Sequence, residues 1–259
     1  MPFVLMPWLV ALALNTALLA IAWLLPKKLL TPAGYCHAWI LGVLVWGCLG
    51  WRGYTVVMVY FLVGSVVTRI GKAEKEAAGI AEKRSGVRGP ENVWGSALTA
   101  TLCALGVALI NYNVLPNISA IWMTLLSLGY VASFATKLSD TTASEVGKAY
   151  GKRTFLITTL QPVPAGTEGA VSLEGTLAGL LGSIVIAAVG WSTGLITLIG
   201  VLLCLVAAFI ATNLESVIGA AFQDNLPWLT NELVNIINTT IGAIAAILLG
   251  LVFMTTLDF

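Results

Sequence analysis

The run Ser139-Asp140-Thr141-Thr142-Ala143-Ser144-Glu145-Val146-Gly147-Lys148-Ala149-Tyr150-Gly151-Lys152-Arg153 concentrates side chains suited to chemistry. Read as a helix, it sets Asp140, Ser144 and Lys148 on one face at i, i+4 and i+8, with Thr141 and Glu145 adjacent. Asp140 and Glu145 offer the hard oxygen ligands that suit Mg²⁺, an ion that takes one or two carboxylates and completes its shell with waters and substrate phosphates. Lys148, Lys152 and Arg153 are placed to hold phosphate groups. Spacing alone leaves an equal alternative, an amphipathic helix end carrying surface ion pairs.

A second candidate is Pro162-Val163-Pro164-Ala165-Gly166-Thr167-Glu168-Gly169, followed by Ser172, Glu174, Gly175 and Thr176 at the start of an apolar helix. Backbone N–H groups at such a start can receive phosphate oxygens. The run is not a GxxxxGK[ST] P-loop, so a soluble kinase fold is not implied, and a glycine turn before a membrane helix also occurs without a ligand. Gly175 and Gly179, four residues apart, read as a close helix-packing face. The third candidate is polar: Asn213 and Glu215 end one apolar stretch, and Asn231, Glu232, Asn235, Asn238 and Thr239 open the next. Asn231, Asn235 and Asn238 face one way at i, i+4 and i+7. They are either a hydrogen-bonded seam between helices or a polar pocket whose acids are Glu215 and Glu232.

The elements that must position these groups are membrane helices. Of 259 residues 58% are hydrophobic and 10% charged, with a mean hydropathy of +0.94, whereas soluble domains are about one-quarter charged. Charge-free stretches, broken at Gly50-Trp51-Arg52-Gly53, at Asn111–Asn117 and at Gly190–Gly194, predict helices near 4–25, 37–50, 54–70, 93–111, 118–136, 170–190, 194–213 and 232–254. The expected fold is therefore all-α: one polytopic bundle of about eight transmembrane helices over residues 1–259. Eight spans place all of the 13 Lys and Arg residues except Arg52 on one side, which by the positive-inside bias is cytoplasmic. The polar segments 71–92, 137–169 and 215–231 then face the cytoplasm, both termini face outward, and all acids except Asp258 join the basic side. Alternating charges over 72–88 read first as a solvated helical face, with Arg84 and Arg88 as its basic end.

Other function classes fall away. A net charge of +1 built from clustered charges of both signs does not support nucleic-acid binding. Cys36, Cys48, Cys103 and Cys204 are widely spaced without a CxxC pair, and His37 stands alone, so neither zinc, haem nor a disulfide is expected. The first apolar run lacks the basic start of a secretory signal and reads as a retained helix.

Five blocks carry a family resemblance: Arg88-Gly-Pro-Glu-Asn92-Val-Trp-Gly-Ser96, Ser139 to Gly147, Val163 to Thr176, Asn213-Leu-Glu-Ser-Val-Ile-Gly219 and Asn235-Ile-Ile-Asn238. Together they resemble a membrane family of largely uncharacterised proteins that includes a plant phytyl-phosphate kinase of vitamin E (tocopherol) synthesis. The resemblance implies a membrane transferase that converts an isoprenyl monophosphate to its diphosphate with a nucleoside triphosphate. A looser likeness to CTP-using membrane kinases and phosphatidate cytidylyltransferases runs through Asp140, Ala143, Gly147, Lys148, Gly151 and Lys152, and favours CTP. The chain departs from the commonest aspartate motif in having Lys137-Leu138-Ser139 before Asp140, where alanine is frequent.

On this reading Asp140, Glu145 and Lys148 are catalytic, with Mg²⁺ at Asp140 assisted by Glu145 or Glu168. Arg84, Arg88, Asn92, Ser144, Lys152, Arg153, Gly166, Thr167 and Gly169 bind nucleotide and acceptor phosphates. The prenyl tail lies between helices in the bilayer, and the active face is cytoplasmic, on a plasma or internal membrane such as a thylakoid. The alternatives are a prenol kinase or cytidylyltransferase-like enzyme and, from another class, a transporter, which would place ionisable residues near the bilayer midplane. Lys83→Cys in a cysteine-free background is expected to react with an impermeant thiol reagent only from the cytoplasmic side; labelling of intact cells would reverse the orientation.

Overall fold

The computed structural model describes residues 2–80, 87–115, 118–223 and 225–257. Long helices dominate it: α1 (Pro2–Leu24), α2 (Pro32–Val67), the short α3 (Lys72–Ala77), α4 (Pro90–Asn111), α5 (Ile121–Tyr150), α6 (Leu173–Ser192), α7 (Leu198–Ile218) and α8 (Asn231–Leu257). A two-residue antiparallel ladder pairs β1 (Phe155–Leu156) with β2 (Ala170–Val171) in the register Phe155↔Val171 and Leu156↔Ala170. It closes the loop between α5 and α6. Among the described residues seven helices are long and apolar enough to cross a membrane.

The 36-residue α2 is two limbs. Gly50 has φ 63° and ψ −156°, a conformation that glycine adopts without steric cost. The chain doubles back there, because Gly34 and Gly64 both pack against Arg88, although a straight helix would separate them by about 45 Å. Trp46 and Tyr54 meet edge to face across the turn, with ring centroids 5.2 Å apart. The limbs, 32–49 and 51–67, are each about 26 Å long, close to the hydrocarbon thickness of about 30 Å. With the other six long helices they make eight limbs, in agreement with the all-α bundle expected from sequence. The first limb starts at Pro32 rather than near 37, since Thr31 caps it by accepting from the Gly34 N–H at 3.0 Å and proline suits a first helical turn.

The bundle is organised around α5, which is buried almost continuously from Leu125 to Asp140. Its 30 residues extend about 45 Å, so its C-terminal turns, carrying Asp140 to Tyr150, reach past a 30 Å apolar layer. Helix α6 lies close against this end. A Cβ at Gly175 would stand 2.7 Å from the Ala143 carbonyl, at Gly179 3.0 Å from the Ser139 carbonyl, and at Gly182 2.5 Å from Thr142 Oγ1. The Gly175–Gly179 packing face foreseen in the sequence thus continues one turn further.

Helix α7 differs from its expected bounds. It begins after Thr197, whose hydroxyl accepts from the Gly200 N–H at 3.2 Å, and runs through Glu215 into a π-helical turn at Gly219–Gln223. Glu215 is therefore a helix residue instead of a loop residue. Trp94 Nε1 donates to His37 Nδ1 at 2.8 Å; of the four free cysteines Cys103 and Cys204 are buried, Cys48 is partly buried and Cys36 is exposed. Gly182→Val is expected to lower stability by about 1–3 kcal/mol, as overpacked cores do, read by unfolding in mixed micelles.

Candidate functional site

The end of α5 carries two buried ion pairs. Lys137 Nζ lies 2.5 Å from Asp140 Oδ2, one turn along the helix, and 2.7 Å from Asn235 Oδ1 on α8. Lys137 and Asp140 are only 7% and 6% exposed. Glu215, from α7, faces Asp140, Lys137 and Glu168. The second pair joins Lys75 on α3 to Glu145, and Lys75 Nζ also donates to the Thr68 carbonyl at 3.1 Å. The segment from 72 to 88 is thus not simply a solvated face: the Lys72–Glu76 pair is exposed at 3.5 Å, but Lys75 is 1% exposed.

Two polar chambers flank α5. The smaller, about 110 Å³, lies between α5, α6 and α7 and is closed by the segment 166–172. Gly166, Thr167 and Gly169 line it, and Ser172 caps α6 at its edge by accepting from the Gly175 N–H at 3.1 Å. The loop is clamped from both sides, since a Cβ at Gly166 would meet Ile80 at 2.8 Å and one at Gly169 would stand 2.6 Å from the Ser216 carbonyl. The larger chamber, about 350 Å³, is bounded by the start of α4 with Arg88, Glu91 and Asn92, by α5, and by Asn231, Glu232 and Asn235 at the start of α8. Asp140, Ser144, Lys148, Glu168 and Glu215 line both chambers. Lys148 forms no ion pair among the described residues, so its charge is available to an anion entering either space.

The structure brings together most residues expected to act and regroups them. Asp140 and Glu145 were expected to share one metal site, but five residues along a helix place them well apart in angle, and each faces its own lysine. Glu215 is the carboxylate that faces Asp140, and it also faces Glu168. Asn213 lines the smaller chamber and donates to the Phe209 carbonyl at 2.7 Å. Asn92 lines the larger one, with Oδ1 accepting from the Gly89 N–H at 3.0 Å. Lys152 and Arg153 are exposed and line neither chamber, and Arg84 lies outside the described residues. Asn231 and Asn235 line the larger chamber, whereas Asn238 is fully buried, lines none of the three cavities and has an amide with no hydrogen-bond partner among the described residues. Thr239 continues as a seam, its hydroxyl 3.1 Å from that of Thr99. The polar start of α8 is therefore pocket at its first turns and packing seam below.

Sequence reasoning missed Lys75 and Lys137 as site residues. The available signals were an i, i+3 lysine before Asp140 and the placement of both cations beside the ends of apolar runs.

Among the described residues no three His, Cys, Asp or Glu side chains converge as a ready chelate. The donor set nevertheless fits Mg²⁺, which needs few protein ligands: Asp140, Glu215 and Glu168 line the same two chambers, and Glu215 interacts with both of the others. Glu145, offset by Lys75, is the poorer donor.

An eight-limbed helical membrane protein with a charged chamber at one end is the class that fold and site define. The chain belongs to the family described as integral membrane protein DUF92, whose model matches residues 15–255. It is 67% identical over 241 residues to an uncharacterised membrane protein of Synechocystis, covering 93% of this chain and 90% of that protein. To the chloroplastic protein VTE6 of Arabidopsis thaliana it is 46% identical over 244 residues, covering 93% of this chain and 72% of VTE6. An uncharacterised membrane protein of Methanocaldococcus jannaschii is 32% identical over 247 residues, which cover 94% of this chain and 96% of that protein. No solved structure matches.

Removing one member of a buried ion pair leaves an uncompensated charge, at a cost of about 3–5 kcal/mol. Lys75→Met is therefore expected to destabilise strongly, and Lys75→Met/Glu145→Gln to recover most of the loss. A double-mutant cycle on thermal unfolding measures the coupling.

Proposed function

We propose that the protein is a membrane phosphotransferase that extends a prenyl, phytyl-type monophosphate to its diphosphate with a nucleoside triphosphate, CTP being favoured. The observation that carries this reading is that Asp140, Glu215, Glu168 and Lys148, the last without an ion pair among the described residues, line both chambers. They lie at the end of the bundle where a water-soluble donor and a lipid acceptor can meet. The family resemblance in the sequence, which agrees with the family match, supplies the substrate class.

Phosphoryl transfer requires positioning and charge compensation more than covalent chemistry. Lys148 pairs with donor phosphate oxygens from the α5 wall, and Arg88 offers a planar fork to a second phosphate across the larger chamber. Asp140, with Glu215 and Glu168, would hold Mg²⁺, which would supply positive charge to offset that of the phosphates. Lys137 is a positioning residue: its bond to Asn235 fixes where the Asp140 carboxylate points. The acceptor is a phosphate monoester with a second pKa near 6, so its attacking oxygen is ionised near neutral pH and needs little general-base help. The chamber side carries the basic residues, which supports a cytoplasmic active face. The chloroplastic relative fits an internal membrane.

Purified protein incubated with labelled CTP, ATP, GTP or UTP and either phytol or phytyl phosphate tests the proposal. Diphosphate formed from phytyl phosphate is expected. Monophosphate formed from the alcohol alone would favour an alcohol kinase, and no product with either acceptor would favour transport. Asp140→Asn is expected to lower kcat about 100-fold or more in a protein that is normally expressed. Lys148→Ala is expected to raise the apparent KM for the nucleotide about tenfold.

A further inference from the structure

A third cavity, about 270 Å³, lies away from the carboxylates, between α1, both limbs of α2 and α4. Its walls are mostly apolar, built by side chains such as Leu19, Leu41, Val57, Met58 and Phe61. Its polar lining comes from Lys27, Tyr35 and Ser96 as well as from the groups at its two ends. At one end stand Arg88 and Asn92, which also line the larger chamber. At the other, Asn15 Oδ1 accepts from the Tyr54 hydroxyl at 2.9 Å while its amide donates to the Ala11 carbonyl at 2.8 Å. Gly42 closes against this floor, where a Cβ would come within 1.9 Å of Asn15 Oδ1. From the level of Gly64, beside Arg88, to Tyr54 is ten residues, about 15 Å along the limb.

We propose that this groove holds the hydrocarbon tail of the prenyl phosphate acceptor, with its phosphate on Arg88 at the junction of groove and chamber. The inference rests on the prenyl-phosphate reading above and gives it a location.

Three features select a single-chain phosphate ester as the occupant. The first is charge complementarity at the junction. The Arg88 guanidinium carbon is held 5.5 Å from the ring centroids of both Tyr60 and Phe61, with Nη1 3.4 Å from the Tyr60 hydroxyl. Its backbone is pinned to the α1–α2 connection, with Arg88 N donating to the Leu29 carbonyl and Thr31 N to the Arg88 carbonyl, both at 3.0 Å. A cation at the mouth of an apolar slot suits an amphiphile with one anionic end. The second feature is continuity: a phosphate on Arg88 faces the chamber that Lys148 and Asp140 line, so the tail leads its head group to the chemistry. The third is lateral access. Helix α1 is peripheral, with 11% of its apolar window buried, and Leu18 and Leu62 at the rim are 37% and 51% exposed. A tail can enter sideways from the bilayer, and any length beyond the Asn15–Tyr54 floor returns to lipid.

The test uses the full chain in nanodiscs with a C20 prenyl monophosphate carrying a diazirine near the tail end. After irradiation, mass spectrometry is expected to find label on α1, α2 or α4 peptides, displaced by excess phytyl phosphate. Arg88→Met is expected to reduce this labelling about tenfold. Label confined to α5–α8 would overturn the proposal, and so would groove label displaced equally well by phosphatidylglycerol, since that marks a bulk-lipid crevice. A kinetic arm uses Ala38→Phe, which fills the groove from its partly exposed wall. It is expected to raise KM for the C20 acceptor about tenfold more than KM for a C5 prenyl monophosphate; an equal change for both would count against tail binding there. Labelling needs no turnover. Groove label in a protein that forms no diphosphate would keep the groove and reject the kinase, whereas diphosphate formation with label elsewhere would do the reverse.

Discussion

A lysine and an aspartate can persist inside an apolar helix bundle only as partners, because either alone would carry an uncompensated charge out of water. The Lys137–Asp140 pair is this constraint in the present fold. Both residues lie on α5, so the pair is satisfied within one helix, but Lys137 has further donors to place and uses one on Asn235. That bond ties the start of α8 to the centre of the bundle. Glu215 must be accommodated in the same neighbourhood, which draws the end of α7 toward α5. Three helices thus converge on one polar point at the edge of the membrane, and the chambers are the space between them.

The remaining elements deliver groups to that point. The glycines of α6 let its backbone approach α5 closely, which carries Ser172 and the 166–169 loop to the chamber wall. The π-helical turn after α7 meets Gly169 and holds the loop from its other side; such turns recur at functional sites. The reversal of α2 at Gly50 returns its second limb beside Arg88, and the Leu30–Arg88 bridge fixes the entry to α4. The cations then divide by task. Lys75 and Lys137 are committed to buried carboxylates and hold structure, whereas Lys148 has no ion pair among the described residues and Arg88 stands where an apolar groove meets a polar chamber.

The helical architecture was legible because it follows from long-range composition: charge-free runs, glycine and asparagine punctuation, and the segregation of basic residues each mark membrane limbs without knowledge of packing. The turn at Gly50 and the Gly175–Gly179 face were visible for the same reason, since each is a local pattern with a local cause. The pairing of charges was not. Lys75 and Glu145 are 70 positions apart, and no periodicity connects them. Helix reasoning put Asp140 and Glu145 on a common surface but could not show that different lysines compete for them. Glu215 was read as loop because it ends an apolar run, yet a carboxylate that faces a polar chamber does not terminate a helix. Asn238 was grouped with Asn235 by spacing, and the depth at which α8 sinks into the bundle separates the two.

If the Lys137–Asp140 pair both stabilises the bundle and aims a carboxylate at the reacting phosphates, its two roles separate when the charges are exchanged. The variant Lys137→Asp/Asp140→Lys keeps an ion pair at i, i+3 and turns a cation toward Glu215 and Glu168. Its thermal unfolding and its rate of phosphoryl transfer to phytyl phosphate, measured on the same preparation, address both roles together. The account predicts a folded protein whose kcat/KM has fallen at least about 100-fold. A folded exchange variant that retains activity within about tenfold of the unaltered protein would contradict the assignment of Asp140 to the chemistry.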